Sequence, residues 1–211
     1  ADGKLNITAR SKEIRCDLSV WVDANSPAVH LDVRSDKKIS VTCTSELMRK
    51  DDYVLPNGGH PLADSFRGVA GSPVKPYESA DIVMSDDQNV IWAHRNETSL
   101  YSLIMERQNM EEFISKYPDP YMNRTFGAAI SGKGMKSSED GLSLTSVAPS
   151  KSCEVDVVLY TAQTRTAAQW KDELLSIVSQ VRNIDREAAR KAHIKWWRNF
   201  FISPTGRLQI M

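Results

Sequence analysis

The chain has no excess of charge of either sign, since 27 Lys and Arg balance 27 Asp and Glu. That balance argues against broad binding to nucleic acid or to an anionic membrane, which needs a clustered basic surplus. No apolar run approaches the roughly 20 residues of a membrane-spanning helix. The opening Ala1-Asp2-Gly3 has neither the basic start nor the apolar stretch of a secretion leader. Because the first residue is not Met, a processed or truncated N-terminus is the expectation. Cysteine is scarce. Cys16, Cys43 and Cys153 are odd in number and widely spaced, which gives neither a disulfide framework nor a zinc site. Each shares strand parity with apolar neighbours, such as Cys16 with Ile14 and Leu18, so buried inert thiols are expected.

A complete catalytic motif is also missing. There is no phosphate-binding loop, nucleophile elbow or metal-ligand spacing. Gly127, Gly132 and Gly134 do not follow the dinucleotide-binding pattern. Acidic pairs such as Asp51-Asp52 and Asp86-Asp87 are adjacent in sequence, and nothing places two carboxylates across a cleft. Neither a metal nor a cofactor is expected. Asp23 and Asn25 have oxygens that suit Ca²⁺, but their neighbours Ser26 and Pro27 make a turn role the stronger reading.

What is present is alternation. Ile14, Cys16, Leu18, Val20 and Val22 keep a period of two, the mark of a half-buried strand. Val29, Leu31 and Val33 form the return strand, with His30, Asp32 and Arg34 on its other face. Asp36-Lys37-Lys38 is expected to turn the chain into a third strand at Ile39, Val41 and Cys43, completing an antiparallel meander. Further strands are expected at 80–84, 89–95, 124–131, 142–147 and 154–162. The last carries apolar residues on both faces, which predicts a central strand. A short helix is expected within 103–116. Residues 49–80 hold Pro56, Gly58, Gly59, Pro61, Gly68, Gly71, Pro73 and Pro76 without periodicity. They read as a long loop, either a binding or partner element or mere decoration.

From Thr166 to Phe201 there is no Gly or Pro. Thr166 and Gln169 have capping-box spacing, and Trp170, Leu174, Ile177, Val178 and Val181 form one apolar stripe. Asn183 or Asp185 starts a second helix. Its face of His193, Trp196, Trp197 and Phe200 follows the helical repeat. Each large aromatic can bury roughly 150–250 Å², so this face exceeds the roughly 300–600 Å² patch that a soluble monomer tolerates. The chain's own core, a second copy or another domain must cover it. Strands first and helices last predict a mainly β fold: an antiparallel, supersandwich-like β-sandwich over residues 1–163, followed by linker helices over residues 164–211.

The densest polar and aromatic cluster is Trp92, His94, Arg95 and Asn96. These residue types suit a sugar, with a ring for a C–H face and amide and guanidinium groups for hydroxyls. The competing reading is a buried Trp beside a hydrogen-bonded His. A weaker third reading is a free-standing enzyme with His94, Arg95 and Asp119 at its site.

Three blocks together resemble a known family. They are Leu18 to Val33 (LSVWVDANSPAVHLDV), then Val90 to Leu100 (VIWAHRNETSL) with Asp119 to Ile130 (DPYMNRTFGAAI), and Ala192 to Phe201 (AHIKWWRNFF). The family is a bacterial domain of unknown function at the N-terminus of glycoside hydrolases, in which a large β-sandwich is joined by linker helices to an (α/α)6 barrel. The resemblance covers roughly Ile14 to Phe201. It implies a non-catalytic region of a carbohydrate-active protein, periplasmic or secreted, that supports a barrel lying outside this chain. His193, Trp196, Trp197 and Phe200 would then form the domain interface. It supplies no catalytic residues, because those of the related hydrolases lie in the barrel. The alternative is a free-standing carbohydrate-binding or oligomeric structural domain.

Overall fold

A computed structural model of the chain describes residues 3–54 and 77–202. In chain order the strands are β1 (Lys4–Arg10), β2 (Arg15–Val22), β3 (Ala28–Ile39), β4 (Thr42–Thr44), β5 (Tyr53–Val54), β6 (Tyr77–Glu78), β7 (Ile82–Val83) and β8 (Asn89–Arg95). Helix α1 (Tyr101–Arg107) and a single 3₁₀ turn follow. Then come β9 (Arg124–Gly132), β10 (Met135–Ser137), β11 (Ser143–Ser146), β12 (Ser150–Gln163), α2 (Ala167–Arg182) and α3 (Arg186–Ile202). The fold is mainly β. A seven-stranded antiparallel sheet runs β1-β2-β3-β12-β9-β8-β7, and a three-stranded sheet runs β10-β11-β4. The C-terminal helices come after the sheets.

Alternation along the strands produces two cores, one on each face of the large sheet. Val90, Ile130 and Val155 point toward the small sheet and pack with its Met135 and Leu144. Ala28, Ile91, Ala129 and Val158 point the other way and are covered by Trp170, Leu174, Val178 and Val181 of α2. The expected stripe on that helix is therefore its buried face. β12, apolar on both sides, is the middle strand of the seven. Where such a strand has neighbours on both edges and layers on both faces, apolar residues are favoured on both sides. Gly127 sits opposite Ala93, and an added Cβ there would fall 2.1 Å from the Trp92 carbonyl oxygen. A side chain at this point would force β8 and β9 apart.

The turn expected at Asp36-Lys37-Lys38 is absent. β3 runs through these residues to Ile39, and β12 follows it as far as Ser150. Asp36 stays extended because its carboxylate accepts the Arg15 backbone N–H at 3.0 Å, across to the neighbouring strand. The chain breaks at Ser40 instead. The segment expected to complete the meander becomes β4 and pairs with β11 in the other sheet. The helix expected within 103–116 is also interrupted: α1 ends at Arg107, and Asn109 takes a positive φ before the 3₁₀ turn at Glu111–Phe113.

Most of the 49–80 loop lies outside the described residues. Its two ends are tied together where they emerge, with β5 paired to β6 and the Ala80 N–H donating to Asp52 at 2.8 Å. Thr166 caps α2 by accepting the Gln169 N–H at 3.1 Å. The return bond of the capping box goes one residue earlier, from the Arg165 N–H to the Gln169 side chain. Asp185 starts α3 by accepting the N–H groups of Glu187 and Ala188. The three cysteines are free and half-buried. Burial pushes the Cys43 thiol up, with a further push from nearby Cys153, and burial likewise raises the thiol of Cys153.

Candidate functional site

On the helix-facing side of the large sheet, the strand registers place one polar row beside an apolar one. Ala28, Val158, Ala129 and Ile91 lie opposite one another on β3, β12, β9 and β8, under α2. Two residues along each strand, the row becomes His30, Asp156, Ser131 and Asn89, and Trp21 of β2 extends it beyond His30. All five are buried. Polarity changes at this row because the apolar face of α2 ends here, at the turn into α3.

The row carries a buried charge network. His30 Nδ1 pairs with Asp156 Oδ1 at 2.6 Å, while its Nε2 faces Asp23 Oδ2 at 3.4 Å. Arg186, in the first turn of α3, donates to Asp156 at 2.7 Å and lies against the same imidazole nitrogen. It also approaches Asp32 at 3.5 Å and Glu154 at 3.9 Å. Asp23 keeps its turn role, accepting the Asn25 N–H at 2.9 Å, and adds the contact to His30. One guanidinium thus fastens the start of α3 to two central strands. Buried charges of this kind require partners, because an unpaired ion out of water costs several kcal/mol.

The other end of the attachment is aromatic. The Ala24 backbone N–H donates to His193 Nδ1 at 3.2 Å. His193 packs on Trp21 with ring centroids 5.2 Å apart, and Trp21 packs on His30 at 4.2 Å. Arg190 lies over the Trp21 ring at 5.2 Å, within the range of a cation–π contact. The face predicted on α3 therefore divides. His193 is 1% exposed and belongs to the chain's own core, whereas Trp196 and Phe200 are 40% and 41% exposed. Those two rings stack on each other at 5.3 Å with an interplanar angle of 6°, and Trp197 meets both edge-on.

The strand-end cluster is arranged differently. Trp92 is half-buried against the small-sheet core. On the same face His94 is buried, with Nδ1 3.2 Å from Asp81 and its ring against Phe126. Arg95 points to the opposite face. Its two terminal nitrogens donate to the Asn123 carbonyl and side chain, to Thr125, and to the carbonyls of Thr164 and Arg165, at 2.7–3.1 Å. Its donors are thus spent on the chain itself. The Asn96 backbone pairs with Arg124 and Asn123. Asp119 accepts the N–H groups of Tyr121 and Met122 to hold a turn.

Chemically, the His30 network can hold and orient. Its hydrogen-bonding partners are carboxylates and a guanidinium, and among the described residues no hydroxyl or thiol is placed on the imidazole for activation. Among the described residues, no group of three or more His, Cys, Asp or Glu is disposed to hold a metal ion. This network leaves little trace in the sequence. Its one signal was a histidine and an aspartate alternating on the non-apolar face of β3, which reads equally well as a solvated face until a helix is laid across it.

A search of curated proteins finds no match. A family model does match, over residues 1–203, nearly the whole chain. The chain therefore belongs to the family described as Domain of unknown function (DUF5703).

Proposed function

We propose that this chain is the non-catalytic β-sandwich region of a carbohydrate-active protein, and that it seats a helical barrel on the aromatic end of α3. The observation that carries the reading is the Trp196–Phe200 pair, ordered by stacking yet about two-fifths exposed. Large aromatics at a rigid, partly exposed site are the residue types that dominate protein interfaces. His193 and Arg186 fix the helix below them, so little ordering entropy remains to be lost on docking. Arg95 also supports the non-catalytic reading, since its guanidinium is taken up by the fold. A periplasmic or secreted location goes with this proposal. The alternative is a free-standing carbohydrate-binding domain that uses the Trp196 ring as a sugar platform.

The test begins with the reading frame around this chain. A helical barrel encoded beside it, expressed separately, is expected to co-purify with the chain, and the Trp196→Ser and Phe200→Ser variants are expected to release it. A barrel that ignores the chain, or glycoside hydrolysis by the chain alone, would overturn the proposal. Retention of glycans by the chain alone, lost in Trp196→Ser, would select the alternative.

A further inference from the structure

We propose that the open edge of β1 joins two copies of this chain, β1 against β1 in antiparallel, so that two seven-stranded sheets become one. β1 is the outermost strand of the large sheet. It pairs with β2 over its whole length without a register shift. No strand adjoins its other edge among the described residues. It contains no Pro, Gly or bulge, and all its residues are exposed. Proteins usually blunt such an edge, because a row of unpaired peptide groups is a template for another strand. The opposite edge of the same sheet is blunted in this way, since β7 is only two residues long.

Hydrogen-bond alternation fixes which peptide groups are free. The Ser11 N–H donates to the Ile14 carbonyl, whereas the Arg15 N–H points away from β1 to Asp36. Ser11 and Ile14 are therefore a hydrogen-bonded pair, and Arg10 and Arg15 are not. Such pairs alternate along an antiparallel ladder, so Lys4, Asn6, Thr8 and Arg10 direct their N–H and C=O groups outward. The middle side chains do not fold over that edge. The Thr8 hydroxyl donates to Asp17 at 2.6 Å and Asn6 accepts from Ser19 at 3.2 Å, which ties both back to β2.

A second copy is the occupant because β1 complements itself, and charge selects the register. Outward residues must oppose one another, and the two registers with the longest overlap are centred on Asn6 or on Ile7. Centred on Ile7, Lys4 faces Arg10 at both ends, a repulsive pairing. Centred on Asn6, Lys4 faces Thr8 and no like charges are opposed. Lys4, Asn6 and Thr8 then exchange both main-chain bonds with their partners. The exposed Leu5 and Ile7 of one copy meet Ile7 and Leu5 of the other, which continues the apolar row of Val20 and Leu18 on β2. The α3 helices stay clear of each other. His193 lies beside Gly3, and the two Gly3 positions would stand roughly 20 Å apart along the strands, about twice a helix diameter.

The experiment is sedimentation equilibrium of the whole chain at up to about 100 µM, which populates weak specific contacts. A monomer–dimer equilibrium is expected. Thr8→Lys places a cation opposite Lys4 of the second copy but beside Asp17 of its own chain. It should weaken the dimer by about tenfold and leave the circular dichroism spectrum unaltered. Asn6→Pro removes an outward N–H and none of the bonds to β2, and should abolish the dimer. Trp196→Ser is expected to leave the dimer intact, which separates this edge from barrel docking on α3. A chain that stays monomeric overturns the proposal and assigns the edge to a strand of a different protein. It is equally overturned if either folded β1 variant dimerises as tightly as the unaltered chain, or if Trp196→Ser abolishes the dimer.

Discussion

Ala24 and His193 are 169 residues apart in sequence, yet the backbone N–H of one donates to the imidazole of the other at 3.2 Å. Because Nδ1 accepts this bond, the neutral ring must carry its proton on Nε2. The bond joins the β2–β3 turn to the middle of α3 and holds the helix on the sheet. His193→Ala is expected to lower stability by about 2 kcal/mol, by removing a buried ring from its packing on Trp21 and the acceptor from a half-buried amide. Urea unfolding measures that loss. Hydrogen exchange should accelerate across residues 186–202 while α2 keeps its protection, and unchanged exchange in α3 would contradict this role.

Asp156 is the common acceptor for His30 and Arg186. Asp156→Ala would leave the buried His30 imidazole and the half-buried Arg186 guanidinium without their shared acceptor and should cost about 3 kcal/mol. Glu154, one step toward solvent on the same strand and largely exposed, meets Arg186 only at 3.9 Å. Its replacement by Ala should change stability by no more than about 0.5 kcal/mol. Equal effects for the two variants in chemical denaturation would refute a network centred on Asp156.

Arg95 joins β8 to the Asn123–Thr125 segment and to the entry of α2. Lysine keeps the charge but offers a point ammonium where a planar fork is required. Arg95→Lys should therefore cost about 2 kcal/mol, chiefly from carbonyls left without donors. If thermal melting shows no loss, the guanidinium is not the pin that its geometry indicates.

The thiols of Cys43 and Cys153 are raised by burial. A raised thiol has less of the reactive thiolate at a given pH. Iodoacetamide should label both more slowly than a free peptide cysteine at pH about 8, and each rate should reach half its plateau above the pH of about 8.5 at which an ordinary thiol does. Peptide mass spectrometry follows each site. Labelling as fast as the free peptide would show that neither thiol is held in its apolar setting.

Much of the fold was legible because strand alternation and helical spacing are local. The paired faces of β2, the two-sided apolar pattern of β12 and the stripe of Trp170, Leu174, Val178 and Val181 each follow from one residue's relation to those a few positions away. At Asp36 a long-range contact overrides the local pattern. A cluster of charged residues resembles a turn, but a carboxylate bonded to the neighbouring strand kept the chain extended. That partner lies 21 residues away and leaves no mark in the local pattern.

The candidate sites divide along the same line. Residue spacing alone puts His193, Trp196, Trp197 and Phe200 at the helical repeat of the last helix, and gathers Trp92, His94, Arg95 and Asn96 at a strand end. Packing against the sheet takes His193 into the core and leaves Trp196 and Phe200 partly in water, because helix spacing defines a face and not what covers it. Only the tertiary structure brought Asp23, His30, Asp156 and Arg186 together, since their pairing depends on strand register and on where α3 crosses the sheet. Local chemistry sets which residues can face the same way. Long-range packing sets which of them meet, and so which polar groups are buried and which are paired.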